Sequence, residues 1–267
     1  MSGPAPIVSL SNPRVKQVVK WRKPRDRRAA GVVLAEGSRE VDRALGGGLS
    51  VVELFATEAF WDAPDRPDFG GVSPTRVSEA VLAKMAYHDR PEGLLAVFRA
   101  PAWSLEALPD TPGGLYLVAV GTEKPGNLGA MVRTAAAAGC AAVIAADPAV
   151  DVFNPNAVRN STGAVFSMPT VTADADAALD WLQNRGVRVA AALADGGDDC
   201  FAASWAEPGA AVAVVVGPEH AGLDARWREA ADVGLTIPAV AADVDSLNAS
   251  NAAAVLLFEA VRRRRLG

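Results

Sequence analysis

Three short stretches of the sequence combine glycine, proline and polar side chains in a way that could bind a ligand. Asn127 and Arg133 follow the apolar run LYLVAVG, Glu219 follows the run VAVVVGP, and Ser246 and Asn248 precede the helical sequence AAAVLLF. Charged and amide side chains at such turns can donate or accept hydrogen bonds from a ligand. Each also has a structural explanation, because Glu219, Ser246 or Asn248 could cap a helix and Arg133 could pair with Glu219 at a subunit seam.

The elements that must position these side chains are short runs of Val, Ala, Ile and Leu in the second half of the chain. Such runs are apolar on both faces, as strands of a covered parallel sheet must be, and helical segments separate most of them. We therefore predict a layered α/β domain with its ligand site outside the carboxyl ends of the strands. The runs are Leu115–Val120, Ala141–Ala146, Val187–Leu193, Ala210–Val216 and Val233–Ile237.

Conventional nucleotide loops are missing from this pattern. Neither Gly-x-Gly-x-x-Gly nor Gly-x-x-x-x-Gly-Lys occurs in the sequence, which argues against a dinucleotide or nucleoside-triphosphate site. An oxidoreductase with a nicotinamide cofactor is for this reason the weakest enzyme class to consider.

The first part of the chain predicts a second, smaller α/β unit. The strands are expected in GVVLAEG, VVELFATEAF and GLLAVFRA, and the helices in SREVDRAL and SEAVLAKMA. The stretch Ala100–Gly114 is rich in Pro and Gly and is typical of a linker. We predict two domains, residues 1–110 and 111–267, with the boundary near Thr111.

A basic segment stands out in a chain whose net charge is −5. Between Arg14 and Arg28 there are eight basic residues and one acid, and Lys16, Lys20 and Lys23 are spaced to share one face of a helix. The segment is either a solvated helix face or a surface that binds nucleic-acid phosphates. The basic residues are Arg14, Lys16, Lys20, Arg22, Lys23, Arg25, Arg27 and Arg28. A second cluster, Arg262–Arg265, suits the carboxyl end of the last helix.

Other features of the sequence indicate the cellular location and argue against disulfide and metal sites. Cys140 and Cys200 are too few for a disulfide framework, and the N-terminal sequence lacks the charged-then-apolar order of a signal peptide. No apolar run approaches the ~20 residues that span a bilayer. We therefore expect a cytoplasmic protein with no membrane partner. His88 and His220 offer no metal ligand set, so no metal is expected.

Taken together, the three stretches resemble the motifs of the SpoU/TrmH family of RNA ribose 2′-O-methyltransferases, members of the SPOUT class. The first motif is matched by Asn127, Gly129, Arg133 and Thr134. The second is matched by Gly217, Pro218, Glu219, Gly222 and Leu223, and the third by Ile237, Pro238, Ser246, Leu247, Asn248 and Ser250. An intervening family segment is matched by Arg159, Ser161, Gly163 and Ala164. The third motif departs from the family at Asn251, where a small or apolar residue is usual.

The resemblance implies a catalytic domain with a deep trefoil knot, S-adenosyl-L-methionine as methyl donor, and a homodimer that completes the site across its interface. The catalytic residues implied are Arg133, Asn127, Glu219, Ser246 and Asn248. The cofactor cradle implied is Ala194, Asp195, Gly196, Gly217, Ile237, Pro238, Leu247 and Asn248. Arg159 joins the basic segment as an RNA-binding candidate, and the first domain resembles a ribosomal-protein-like substrate-binding domain.

These implications favour ribose methylation of ribosomal RNA, most of all 23S rRNA, because the extra N-terminal domain resembles those of ribosomal members of the family. A role in antibiotic resistance is a further hypothesis. The alternatives are a transfer-RNA ribose methyltransferase and a non-catalytic RNA-binding protein of ribosome assembly that retains the knot as a dimer platform.

Overall fold

The computed structural model describes residues 5–64, 66–239 and 247–266, which form two compact units. Unit 1 contains the described residues up to Ala102 together with Phe153–Ser167, and unit 2 contains Trp103–Val152 and the described residues from Met168 onward.

Helices and strands alternate along much of the described chain. The elements up to Arg99 are α1 (Pro13–Trp21), α2 (Pro24–Ala30), β1 (Val32–Glu36), α3 (Ser38–Gly46), β2 (Val51–Ala56), α4 (Glu58–Trp61), β3 (Thr75–Arg76), α5 (Glu79–Met85) and β4 (Leu94–Arg99). The later elements are β5 (Leu115–Val120), α6 (Pro125–Ala137), β6 (Ala142–Ala146), α7 (Pro155–Asn160), a 3₁₀ turn (Ala164–Phe166), β7 (Thr170–Ala173), α8 (Ala175–Asn184), β8 (Arg188–Leu193), β9 (Asp198–Asp199), β10 (Val212–Val216), α9 (Ala225–Glu229), β11 (Val233–Thr236) and α10 (Ala249–Leu266).

Unit 1 is built on a mixed sheet with the strand order β1-β4-β2-β3. Strands β1 and β2 run antiparallel to β4, and β3 runs parallel to β2. Helices α1 and α5 cover one side of this sheet with buried apolar side chains such as Val15, Val18 and Leu82. The predicted strands and helices of this small α/β unit are confirmed.

The basic segment forms two helices where the sequence predicted one. Helix α1 ends at Trp21, and Pro24 begins α2, because proline has no N–H to donate and is favoured in the first turn of a helix. The break turns Arg27 inward, so that its guanidinium donates to the carbonyl oxygens of Trp21 (2.9 Å) and Arg22 (2.7 Å). Arg27 is only 1% exposed, and we withdraw it from the RNA-binding candidates.

Unit 2 is a parallel sheet with helices, in the strand order β7-β6-β5-β10-β8-β11-β9. Every pair is parallel, and the central strands β5, β6 and β10 are buried along their whole length. Burial on both faces explains why these strands consist of unbroken Val, Ala, Ile and Leu runs. The predicted layered α/β architecture is confirmed, and the two strands that the sequence analysis missed, β7 and β9, lie at the two edges of the sheet.

The boundaries of the two units differ from the predicted linker and domains at two places. Leu105 and Leu108 are buried in the core of unit 2, and Trp181 Nε1 donates to the carbonyl of Leu105 over 2.7 Å. The residues after Ala102 therefore pack on unit 2, and the later segment Phe153–Ser167 clusters with unit 1. The division at residue 110 into independently folding domains stays a prediction, as does the knot. The chain between Ala239 and Leu247 lies outside the described residues.

Candidate functional site

A pocket of about 230 Å³ lies at the carboxyl edge of the unit 2 sheet. It is bounded by the ends of β8, β10 and β11 and by the beginning of α10, so neighbouring parallel strands supply its walls. The sequence-predicted cofactor residues that line it are Ala194, Gly217, Ile237, Pro238 and Leu247. Asp195 and Gly196 are exposed and lie outside its lining. The position of this pocket agrees with the strand-end site predicted from the sequence.

The wall after β10 depends on the close approach of two backbone segments. A Cβ atom at Gly217 would lie 2.6 Å from the carbonyl carbon of Gly222 and 2.7 Å from the nitrogen of Leu223. Gly222 has a φ of +63°, a conformation that costs little only for glycine, and its N–H donates to the carbonyl of Pro218 over 3.0 Å. The second motif therefore folds into a tight loop with Glu219 inside it.

The Glu219 carboxylate collects donors from the other two motifs. Asn127 Nδ2, at the start of α6, donates to Glu219 Oε1 over 2.8 Å. Asn248 Nδ2, just before α10, also donates to Glu219 Oε1, and the ammonium of Lys124 pairs with Oε2. A carboxylate can only accept, which requires both asparagines to present their NH₂ groups to it. Asn127 and Asn248, which lie 92 and 29 residues from Glu219 along the chain, thus both contact the Glu219 side chain.

Asn248 acts at the same time as the cap of α10. Its Oδ1 accepts hydrogen bonds from Ser250 N (2.9 Å) and Ser250 Oγ (2.6 Å), and its Nδ2 also approaches Asn127 Oδ1 at 3.3 Å. The helix cap predicted as one alternative for Asn248 is present, and the other alternative, a hydrogen bond to a ligand, stays a prediction. Because both polar atoms of its side chain form hydrogen bonds within the protein, Asn248 acts here as a positioning residue. Ser246, its predicted partner, lies outside the described residues.

The surroundings of Glu219 stabilise its ionised form. The hydrogen bond from Lys124, followed by that from Asn127, lowers the pKa of the Glu219 carboxyl below its ordinary value despite some desolvation. An ionised carboxylate with a lowered pKa is a weak proton acceptor but a good anchor for donors. The sequence analysis missed Lys124, although it lies only three residues before Asn127.

Arg133 lies apart from this cluster within the chain. It is exposed on α6, and among the residues that the structure describes it has neither an ion pair nor a hydrogen-bond partner. Asn127 and Arg133 are six positions apart, which places them about 120° apart around a helix with 3.6 residues per turn. Asn127 therefore does not orient Arg133 within one chain, and Glu219 pairs with Lys124 instead of Arg133.

A second, smaller pocket of about 110 Å³ lies on the other side of the Glu219 loop. Lys124, Asn127, Met131 and His220 line it, and it shares Glu219 with the first pocket. The first pocket has mainly Ala, Leu, Ile and Pro in its walls, whereas the second presents the ammonium and amide groups. The loop at Glu219 contributes to the lining of both pockets.

The basic candidates of unit 1 divide into exposed and engaged residues. Arg14 pairs with Glu53 and donates to Thr75 Oγ1 over 2.7 Å, and Arg22 lies 5.5 Å from the ring centroid of Tyr87. The candidates with exposed side chains are Arg14, Lys16, Lys20, Lys23, Arg25, Arg28 and Arg159. Lys20 lies 3.7 Å from Asp26, the single acid of the segment.

The described residues of the chain contain no group of three or more His, Cys, Asp or Glu side chains that could hold a metal ion. No described helix is long and apolar enough to cross a membrane.

Comparison with known proteins matches two segments of the chain. Residues 114–258 match the SpoU rRNA Methylase family, and residues 12–96 match the MRM3-like substrate binding domain. The 23S rRNA (guanosine(2553)-2′-O)-methyltransferase RlmP of Bacillus subtilis is 31% identical over 252 residues, which cover 94% of this chain and 97% of that protein. A 23S rRNA (uridine(2479)-2′-O)-methyltransferase of Streptomyces viridochromogenes is 35% identical over 186 residues, 67% of this chain and 63% of that protein.

Solved structures agree with these sequence relationships. A crystal structure of an RNA 2′-O ribose methyltransferase superimposes with a TM-score of 0.84 at 40% identity and covers 98% of this chain and 100% of its own. The SpoU methyltransferase AviRb from Streptomyces viridochromogenes, in complex with AdoMet, has a TM-score of 0.83 at 28% identity, with 96% of this chain and 99% of its own covered. The resemblance inferred from the three motifs is confirmed, and the chain belongs to the SpoU rRNA methylase family.

Proposed function

We propose that this protein transfers a methyl group from S-adenosyl-L-methionine to the 2′-oxygen of a ribose in ribosomal RNA. The observation that carries the proposal is the meeting of Asn127, Glu219 and Asn248, one residue from each motif, at the loop that lines both pockets. A protein that only binds RNA has no need of this constellation. The family membership and the relatives named as 23S rRNA 2′-O-methyltransferases support the same reaction.

The larger pocket fits the proposed methyl donor. Its apolar walls, including Leu193, Ile237, Pro238 and Leu247, suit an adenine ring, and Gly217 leaves main-chain groups accessible at the turn. The AdoMet complex of AviRb, which this chain resembles in fold, supports the same choice. The sulfonium of S-adenosyl-L-methionine supplies an activated methyl group, so the chain's own residues must act on the ribose hydroxyl and its approach.

We infer that the ribose enters the smaller pocket beside Lys124 and Asn127, on the far side of the Glu219 loop. Glu219 fixes the position of the two pockets relative to each other, because its carboxylate accepts hydrogen bonds from Asn127 and Asn248. These bonds connect the starts of α6 and α10 to the loop after β10. Arg133 would clamp a neighbouring phosphate and stabilise negative charge that develops on the 2′-oxygen. A guanidinium with a pKa above ~12 is a poor general base, so the proton would pass to phosphate or water.

We further propose that two copies of the chain complete the site. Arg133 lies on a face of α6 turned away from Glu219, and the small exposed residues Ala136 and Ala137 near it allow close packing of another helix. Phe258 on α10 is 48% exposed, and contact with a second copy of the chain through this helix would bury it. In a homodimer Arg133 would reach the pocket of the partner subunit. The trefoil knot and a cytoplasmic location belong to the same proposal.

The substrate is assigned as ribosomal RNA, with residues 1–110 as the RNA-binding domain and residues 111–267 as the catalytic domain. The exposed lysines and arginines of α1 and α2, together with Arg159, would contact phosphates. Relatives named for a uridine and for a guanosine of 23S rRNA are both similar to this chain, so the base and the position are left open. A transfer-RNA substrate and a role in antibiotic resistance remain hypotheses.

The experiment that tests this proposal measures transfer of labelled methyl from S-adenosyl-L-methionine to ribosomal RNA and, separately, to bulk transfer RNA. Alkaline hydrolysis then distinguishes ribose methylation, which protects the adjacent phosphodiester linkage, from base methylation. We expect label in an alkali-resistant dinucleotide of ribosomal RNA. Label confined to transfer RNA would show that transfer RNA is the substrate. The absence of both methyl transfer and cofactor binding would favour the non-catalytic RNA-binding protein.

A further inference from the structure

Unit 1 contains a pocket of its own, formed where the end of β1 meets the loop before β4. Strands β1 and β4 pair antiparallel, with Glu36 opposite Leu95, so the last residues of β1 lie beside the loop His88–Glu92. The beginning of α3 and one side of α7 close the remaining sides. Leu34, Pro155 and Val158 contribute apolar surface to the pocket, and Arg39, Arg90 and Arg159 contribute positive charge.

The charged groups around this pocket are not all neutralised by one another. Arg39 pairs with the buried Glu40 over 2.9 Å. Arg90 and Arg159 are exposed, and within the described part of the chain their guanidinium groups have no hydrogen bond or ion pair. The carboxylate of Glu92 lies against the α-carbon of Gly37, where a Cβ would come within 2.8 Å of it. The pocket thus offers two uncommitted guanidinium groups and one carboxylate acceptor.

A fixed aromatic side chain stands at the edge of the same pocket. The carboxylate of Glu36 accepts hydrogen bonds from the backbone N–H of Tyr87 (2.7 Å) and of His88 (3.4 Å), which ties the loop to the end of β1. The ring of Tyr87 is 37% exposed, and His88, which lines the pocket, contacts it edge-on at 5.5 Å between ring centroids. Exposed aromatic rings next to arginines are the surface on which unpaired bases stack.

From these observations we propose that the unit 1 pocket binds one unpaired nucleotide of the RNA substrate. Arg90 and Arg159 hold its phosphate, and Tyr87 stacks on the neighbouring base. Glu92 accepts from an N–H group on the edge of the base. The site deepens the proposed function, on which it rests for the identity of the ligand, by adding a contact with RNA within unit 1.

The test measures binding of a short fluorescein-labelled single-stranded RNA to the full-length protein by fluorescence anisotropy over a range of salt concentrations. The variants are Arg90→Ala, Arg159→Ala, their combination, and the pair Tyr87→Ala and Tyr87→Phe. Arg99→Ala is the matched control, because Arg99 is an exposed arginine at the opposite end of β4 and outside the pocket. Binding of S-adenosyl-L-methionine by each variant is measured in parallel by calorimetry.

We expect the double arginine variant to lower the slope of log K against log salt by about 0.7, since the two arginines neutralise one phosphate and each neutralised phosphate contributes about 0.7 for single strands. Tyr87→Ala should weaken RNA binding about 5-fold or more and Tyr87→Phe much less, because phenylalanine retains the stacking surface. Arg99→Ala should bind RNA like the parent, and cofactor binding should be unchanged throughout.

Several results would overturn the proposal. One is a double arginine variant with the parent's affinity and salt slope, and another is equal competition by a fully paired RNA duplex. A parent protein that binds no single-stranded RNA would also contradict it. Failure of the proposed function has a different signature: the parent transfers no methyl group to any RNA, while the pocket variants still lose single-strand binding relative to Arg99→Ala.

Discussion

The substitution Gly217→Ala should damage the cofactor pocket through a steric conflict that the structure defines. The added Cβ would lie 2.6 Å from the carbonyl carbon of Gly222, 2.7 Å from Leu223 N and 2.8 Å from the carbonyl oxygen of Gly222. Ordinary contact begins near 3.4 Å, so the two segments must separate by about 0.8 Å. All three atoms belong to the backbone, which means that no side-chain rotation can relieve the contact.

The consequence should be larger for function than for stability. Overpacking of this kind costs about 1–3 kcal/mol, which leaves most of a domain's stability in place. A displacement approaching 1 Å in a site can lower the rate by about 100-fold, and the moving loop carries Glu219. We expect markedly weaker binding of S-adenosyl-L-methionine by isothermal titration calorimetry and methyl transfer reduced about 100-fold, with a cooperative thermal unfolding transition only a few degrees below that of the parent.

Gly46→Ala is the matched control for this substitution. Gly46 is the last residue of α3, and a Cβ there would meet nothing within 4 Å. Alanine is favoured over glycine within helices by up to ~1 kcal/mol, so this variant should be at least as stable as the parent and bind the cofactor equally well. If Gly217→Ala binds S-adenosyl-L-methionine with the parent's affinity, the contact between the two segments does not shape the pocket and the reasoning is wrong.

Further predictions concern the arginine, the carboxylate and the cysteines. Arg133→Lys should retain only part of the methyl-transfer rate and Arg133→Ala less, because an ammonium lacks the paired donors of a guanidinium; equal rates for Arg133→Lys and the parent would rule out the bidentate clamp. The pKa of Glu219 is lowered in the folded state, so its stabilisation is complete above the ordinary carboxyl pKa of 4.5 and is lost as the pH falls through the lowered value. Chemical denaturation should therefore show parent and Glu219→Gln differing at neutral pH and converging in acid, and a constant difference would contradict this assignment. Burial raises the pKa of the Cys140 thiol to about 12 and that of Cys200 to about 11, so neither should react with a thiol reagent at neutral pH until the protein unfolds; fast labelling of the native protein would disprove this.

The strands of unit 2 were predictable because a local property marks them. A strand covered on both faces needs apolar side chains at every position, and β5 and β10 satisfy this requirement without interruption. Strand β7 lies at an edge and exposes part of its length, so its sequence TVTA carries a much weaker signal. The predicted linker contained the buried Leu105 and Leu108, whose partner Trp181 lies far along the chain.

By itself, the sequence determined the fold class, the position of the site at the strand ends and the residue types that form it. These follow from local rules: hydrophobic patterning sets strands and helices, and tight turns require glycine or proline at particular positions. The residues Asn127, Glu219 and Asn248 became site candidates through the resemblance of the three stretches to the family motifs.

Only the tertiary structure decided which groups contact one another. Lys124, and not Arg133, pairs with Glu219, because the chain crossings bring the start of α6 to the loop after β10 while Arg133 lies on another face of the helix. Arg27 is buried by the break at Pro24, whereas its basic neighbours stay in solvent. Hydrogen-bond partners and burial depend on residues distant in sequence, and for that reason local patterns could supply the candidates but not their arrangement.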